Sequence, residues 1–261
     1  MTKAWSNAAV DLTRPVALFQ QGTRRIYWVG SVEDTPFRCN AYLLGAQGEW
    51  LLVDPGGVGH FPQVVERVRQ VVDPARVRAI VVHHQDPDLC ASLPLWRQVN
   101  PDVVILTHSR AAVLLPHYGL SGGIETVDHG SRPLADGTVL RFLPAPFLHF
   151  PGAFATYDPV SGFLFSGDIC AALSADWQLF ADDWERHLGL MELFHVDYMA
   201  SNRALRGFLR QLDGLEVRAI LPQHGSVIPP EGVGRVLQWL RELPCGLDLI
   251  YPREAGADAQ L

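Results

Sequence analysis

Short apolar runs punctuated by Gly, Pro, Asp and Ser set the rhythm of the first part of the chain. Residues 25–29, 40–44 and 50–53 read as strands separated by turn-forming clusters, the pattern of an antiparallel meander. From Phe61 the apolar spacing becomes helical, with Val64, Val65, Val68 and Val71 on one face and Asp73-Pro74 as a stop. Ala79-Ile80-Val81-Val82 is a compact apolar run that predicts a buried strand. A helix over 89–99, a strand over 103–106 and a helix from Ser109 to about Leu115 follow. The second half repeats the theme. Strands are predicted over 139–143, 153–157 and 163–166, the last two joined by the turn Asp158-Pro159-Val160-Ser161-Gly162. A helix from about Tyr198 to Leu212, a strand over 217–221 and a helix over 232–243 complete the pattern. Strand groups followed by helices in both halves imply two sheets packed between outer helices.

Composition narrows the class. With 261 residues, 48% hydrophobic and 19% charged, the chain has the profile of a soluble globular protein, large enough for one sizeable core. No repeat, low-complexity tract or Pro/Gly/Ser-rich linker divides it, so one domain over 1–261 is expected, ending in a short polar tail after Tyr251. No apolar run approaches the roughly 18 residues of a membrane span. The opening MTKAWSNAAVDL lacks the basic and apolar regions of a signal peptide, so the expected location is cytoplasmic, without a membrane partner. A formal charge of -7 disfavours a protein that grips phosphate backbones, so nucleic acid is not an expected partner. The 20 Arg and single Lys are scattered and build no basic stripe. Cys39, Cys90, Cys170 and Cys245 form no C-x-x-C pair and read as buried free thiols.

The segment with chemical content is Val82-His83-His84-Gln85-Asp86-Pro87-Asp88-Leu89, placed where a buried strand ends. Strand ends are where α/β folds hold their ligands. In an extended loop His84, Asp86 and Asp88 would project to one side. Three further candidates follow other predicted strands: His149, Asp168 and His224. Each has an ordinary structural alternative. Asp88 can cap a helix beginning at Leu89, Asp168 can stabilise a turn after Gly167, and a lone His can be a hydrogen-bonded core residue. Those alternatives weaken together, because each would have to recur by accident at four strand-to-loop junctions. Three converging carboxylates would repel, at about 4 kcal/mol per pair 4 Å apart for an effective dielectric of 20. Protonation or bound cations must relieve that repulsion. Imidazole and carboxylate without thiolate suit iron, zinc or manganese.

These segments resemble the metallo-β-lactamase superfamily. The likeness rests on His84-x-Asp86-x-Asp88 with Ser92-Leu93-Pro94, His149-Phe150-Pro151, Phe165-Ser166-Gly167-Asp168 and Pro222-Gln223-His224-Gly225. Tyr27-Trp28-Val29-Gly30 and Leu52-Val53-Asp54-Pro55-Gly56 extend it over residues 17–245. Within the superfamily the chain is most similar to the flavodiiron proteins and the stand-alone oxygen-binding di-iron proteins. The resemblance implies an α/β fold, a four-layer αβ/βα sandwich. It implies two metal ions, most readily iron, with His84, Asp86 and His149 on one, Asp88 and His224 on the other, and Asp168 bridging. Hydrolytic members carry His-x-His-x-Asp-His, and flavodiiron proteins His-x-Glu-x-Asp-His. Here Asp86 replaces the second His or Glu, and Leu89 stands where the family has its final His, leaving an open position. His83, adjacent to His84, points away from it in an extended strand. His60, His108, His117, His129, His187 and His195 have no motif support.

The resemblance further implies a protein that binds O2, for sensing or detoxification, and that reduces O2 or NO only with an external electron donor, since no flavin is expected in this chain. A dinuclear metallohydrolase of a thioester, lactone or phosphodiester is the first alternative, and a redox-state signalling module with a protein partner the second. A homodimer is the expected assembly if the chain self-associates.

Overall fold

The computed structural model describes residues 5–32, 35–128 and 130–251; the polar tail after Tyr251 and His129 lie outside them. The first sheet comprises β1 (Val16–Gln21), β2 (Arg24–Trp28), β3 (Tyr42–Ala46), β4 (Glu49–Val53), β5 (Val77–Val81), β6 (Val104–Thr107) and β7 (Ile124–Thr126), side by side in chain order. The strands β1 to β4 pair antiparallel, as hairpins must. From β4 to β7 they pair parallel, because α1 (Phe61–Arg69), α2 (Pro87–Cys90), α3 (Leu93–Val99) and α4 (Ser109–Ala112) occupy the crossovers.

The second sheet comprises β8 (Gly130–Pro133), β9 (Val139–Pro144), β10 (Phe154–Asp158), β11 (Phe163–Gly167) and β12 (Ala219–Pro222), in the order β12-β11-β10-β9-β8. Only β11 and β12 run parallel, since α5 (Trp184–Tyr198) and α6 (Asn202–Leu209) lie between them in the chain. α7 (Pro230–Glu242) and α8 (Leu247–Ile250) follow.

The two-residue alternation of the strands sorts the interior into three apolar layers. Trp28, Tyr42, Leu44 and Val53 meet Phe142, Phe154, Phe165 and Leu221 between the sheets. Leu43, Leu52, Ile80 and Ile105 face the other way, against Val64, Val68, Leu93 and Trp96 of the first helix layer. Ala155, Tyr157, Leu164 and Ile220 pack against Met191, Phe194, Leu205 and Val236 of the second. The result is the helix-sheet-sheet-helix sandwich expected, with central strands buried on both faces. That is why they read as continuous apolar runs.

Three differences from the sequence reading have physical causes. The single helix over 89–99 is two pieces, α2 and α3, because Pro94 cannot continue a helix that began at Pro87. The helix placed from Tyr198 to Leu212 is α6 followed by a 3-10 turn, and a longer helix, α5, ends at Tyr198. α5 escapes a periodicity argument because two of its buried positions are His187 and His195, while Leu193 is exposed. The strands β7 and β8 have mixed or exposed residues and little apolar signal, whereas the apolar run over 16–19 in β1 lies before the first strand read from the sequence. The four cysteines are buried and form no disulfide, as expected. No helix among the described residues is long and apolar enough to cross a membrane.

Phe165 is fully buried between the sheets, with its ring 5.6 Å from that of Tyr42. Phe165→Ala should lower the free energy of unfolding by about 3–5 kcal/mol, measured by denaturant titration.

Candidate metal centre

The centre forms where loops leaving both sheets converge. β5 delivers His83 and His84 in succession, and strand alternation sends their side chains opposite ways. His83 serves as a brace. Its peptide N–H donates to Asp54 Oδ1 at 3.0 Å, its Nδ1 lies 2.6 Å from Asp54 Oδ2, and its Nε2 lies 2.9 Å from Thr156 Oγ1. The imidazole thus ties the end of β4 to β10 in the other sheet. Gly167, at φ 57, turns the chain out of β11 beside this brace; an added Cβ would lie 3.1 Å from His83 Cβ, and the positive φ itself disfavours a side chain. The turn brings Asp168 under His84.

A second clamp positions His224. Asn40 Nδ2 donates to the carbonyls of Pro222 and Gly225 at 2.9 and 2.8 Å, and Tyr42 Oη donates to Pro222 at 2.7 Å. Cys39 and His224 form an antiparallel β-bridge, and His224 Nδ1 sits 3.2 Å from the Arg38 carbonyl. His224 Nε2 is thereby left to face the centre.

Six candidate residues come together in two groups sharing one carboxylate. In the first group His84 Nε2 and His149 Nε2 lie 3.6 and 3.3 Å from Asp86 Oδ2. The same two nitrogens lie 3.2 and 3.1 Å from Asp168 Oδ2. In the second group His224 Nε2 lies 3.0 Å from Asp88 Oδ2 and 3.8 Å from Asp168 Oδ1. Asp86 Oδ1 is held by the Gln85 side-chain amide at 2.6 Å, which leaves Oδ2 for the centre. Asp168 Oδ1 is buried without a hydrogen-bond partner, a costly state that a bound cation would relieve. The donors therefore offer two candidate positions for a metal ion, with Asp168 within 3.8 Å of a ring nitrogen in each group.

His84, Asp86 and Asp88 do not lie along one extended loop, contrary to the expectation from their spacing. Asp86 precedes α2, which turns Asp88 away from the first group and toward His224. Leu89 is fully buried in the apolar cluster with Val29, Ala41 and Val82 and offers no donor. Among the described residues His60, His108, His117, His187 and His195 join neither group. His60 Nδ1 accepts the Gly57 N–H, and His108 caps α4. His195 Nε2 accepts from the Cys170 N–H at 3.1 Å, just beyond Asp168, and its Nδ1 lies 2.8 Å from the Met191 carbonyl. Burial lowers the His195 pKa to about 4, so it supports the Asp168 loop as a neutral ring.

Two residues at the second group carried no assigned role in the sequence. Cys39 Sγ lies 3.9 Å from Asp88 Oδ2. Gln223 Nε2 donates to Asp88 Oδ2 at 3.2 Å and to Cys39 Sγ at 3.3 Å. Gln223 lies inside the quoted Pro222–Gly225 motif, whereas Cys39 stands alone and only its bridge to His224 brings it in.

Charge dominates the centre. Burial pushes the Asp168 carboxyl up, but His84, His149 and His224 outweigh it and hold the group well below the carboxylate range. Burial pushes His84 down, yet Asp168 and Asp86 raise it well above 6.5. For His149 the same opposition ends with a pKa raised to about 9. Without metal, protons on the imidazoles balance the carboxylates.

A sandwich of two sheets with candidate metal-binding side chains at the strand ends defines a metallo-β-lactamase fold. The family model described as ODP family beta lactamase matches residues 37–225, and the chain belongs to that family. Two solved structures are similar over nearly their whole length. One, described as the peroxy diiron species of chemotaxis sensor ODP, is 33% identical with a TM-score of 0.82, covering 90% of this chain and 98% of that one. The other, the apo state of chemotaxis sensor ODP from T. denticola, is 34% identical with a TM-score of 0.80, covering 90% and 97%. A nitric oxide reductase of Moorella thermoacetica is 26% identical over 87% of this chain and 60% of its own length. The flavo-diiron protein FprA2 of Clostridium acetobutylicum is 23% identical over 74% and 50%. The chain thus spans half to three-fifths of the length of these two relatives.

The raised imidazole values set a pH dependence for the metal-free protein. Stabilisation by protonated His84, His149 and His224 is complete below the unfolded value near 6.5 and disappears as pH rises through the folded values, about 9 for His149. Bound metal would replace those protons and bind better as they leave. The gain in Tm on adding metal to chelated protein should therefore be larger at pH 9 than at pH 6. An equal or smaller gain would exclude these imidazoles as the donors.

Proposed function

We propose that this chain is a di-iron protein that binds O2 or NO, and that turns either over only when an external donor supplies electrons. The observation that carries the reading is the position of Asp168, whose two oxygens face two separate donor groups from a buried site. His84, Asp86 and His149 would hold one iron, Asp88 and His224 the other. Bound iron would supply a reversible one-electron couple at each position and an affinity for diatomic ligands. The chain's part is to fix the donors, balance their charge and limit water.

Aromatic rings support the last role. Phe37 meets His224 edge-on at 5.5 Å, Tyr198 meets His149 at 5.6 Å, and Phe194 stacks on Tyr198 at 4.6 Å. This wall packs against an imidazole of each donor group and offers a small apolar ligand a dry approach. A hydrolase is less well supported, because Asp86 occupies the place of the second His of hydrolytic members and the harder oxygen donor favours iron. The similarity to chemotaxis sensors supports oxygen sensing, and the similarity to a nitric oxide reductase supports detoxification. Four thiols without a disulfide fit a reducing, cytoplasmic setting.

Protein purified without oxygen should contain close to two irons per chain and develop a new near-ultraviolet or visible absorption on admitting air. Zinc in place of iron, or no optical change, would overturn the reading. Asp168→Ala should lose both metals rather than one, since each ion would lose a donor and the imidazoles their shared counter-charge. Retention of two metals by the folded variant, checked by mass spectrometry and circular dichroism, would refute the bridge.

A further inference from the structure

We infer that Cys39 is a thiolate ligand of the second metal position, supplying a donor to the ion held by Asp88 and His224. This rests on the two-metal reading above and extends it to a residue outside the motif. Four observations converge. The β-bridge between Cys39 and His224 sets the two residues directly opposite each other, an arrangement in which paired side chains project from the same face. Cys39 Sγ, an Asp88 carboxylate oxygen and a His224 ring nitrogen lie within 4.8 Å of one another, the only such group of the second position among the described residues. Donors about 2.1 Å (oxygen) and 2.3 Å (sulfur) from one ion can span the 3.9 Å between Asp88 Oδ2 and Cys39 Sγ. The buried and unpartnered Asp168 Oδ1 lies 3.8 Å from the same ring nitrogen, His224 Nε2.

Chemistry favours the same assignment. Leu89 contributes no donor, so without Cys39 the second ion would hold only Asp88, His224 and the shared Asp168 from the chain. The Gln223 amide N–H is aimed at the sulfur as well as at Asp88, which is how an outer hydrogen bond steadies a thiolate ligand. Two divalent ions bring four positive charges against three carboxylates, and a thiolate from Cys39 supplies the fourth negative charge. Binding releases the thiol proton to solvent and forms one metal–sulfur bond, with no change of oxidation state. The two positions are then chemically unequal: nitrogen and oxygen donors on the first, a softer sulfur donor on the second.

Cobalt(II) tests this by a signal that carboxylate and imidazole do not produce. The full chain, stripped by chelation, is titrated with Co(II) in the absence of oxygen. Two equivalents should bind, and a thiolate-to-cobalt charge-transfer band should appear in the near ultraviolet. Cys39→Ala and Cys39→Ser should abolish that band and weaken one of the two equivalents by tenfold or more, while Cys245→Ala keeps both. If the native chain binds two cobalt ions without the band, Cys39 is not a ligand and the two-metal reading stands. If it binds fewer than two, the two-metal reading fails and the inference with it. A band that survives in Cys39→Ala also overturns the assignment. The native titration decides the question even if the variants fold poorly.

Discussion

The structure is organised around a single electrostatic constraint. Asp168 is almost fully buried, and its carboxylate must be compensated by whatever surrounds it. Three imidazoles face it, from a loop after each of β5, β9 and β12, and the carboxylates of Asp86, Asp88 and Asp168 would repel one another without positive charge between them. Protons can provide that charge, and so can metal ions. The two compete for the same nitrogen atoms, which is why the acid-base behaviour of the centre and its affinity for metal are one property seen from two sides.

Holding such a centre requires that two sheets keep a fixed relation at one end. The apolar layer between them supplies cohesion but little direction, since burial of Trp28, Phe154 and Phe165 is insensitive to small slides. Directional contacts do the aligning. His83 joins Asp54 of the first sheet to Thr156 of the second, and Asn40 with Tyr42 clamps the loop that carries His224. Residues next to the candidate ligands in sequence thus act as the framework for them. His83 and His84, one position apart, divide these roles because strand geometry sends them to opposite sides.

Access is uneven within each half of the centre. Asp168, His84 and His224 are sealed, whereas Asp86 and Asp88 retain 32 and 35% of their side-chain exposure, so approach is from the carboxylate side. Phe37 is 42% exposed and Tyr198 46%, which places aromatic rings at the surface beside the centre. Rings so placed admit a small uncharged ligand more readily than an anionic substrate.

Much of this was already determined by the sequence. Apolar strands buried on both faces announce themselves as continuous runs, so the core of both sheets, the strand-end positions of His84, His149, Asp168 and His224, and the four-layer class were readable. The grouping of His84 and Asp86 with His149, and of Asp88 with His224, could be carried over only by resemblance, because spacing along an extended loop would have put all three motif residues on one side. The local turn of α2 decided otherwise. Helix α5 was hidden because a tertiary fold can bury histidines such as His187 and His195 when it desolvates them as neutral rings, and no periodicity of apolar letters records that. Cys39 was the least legible of all. Its place beside Asp88 and His224 depends on a bridge between residues far apart in the chain, and such long-range pairing belongs to the packed structure rather than to any local pattern of side chains.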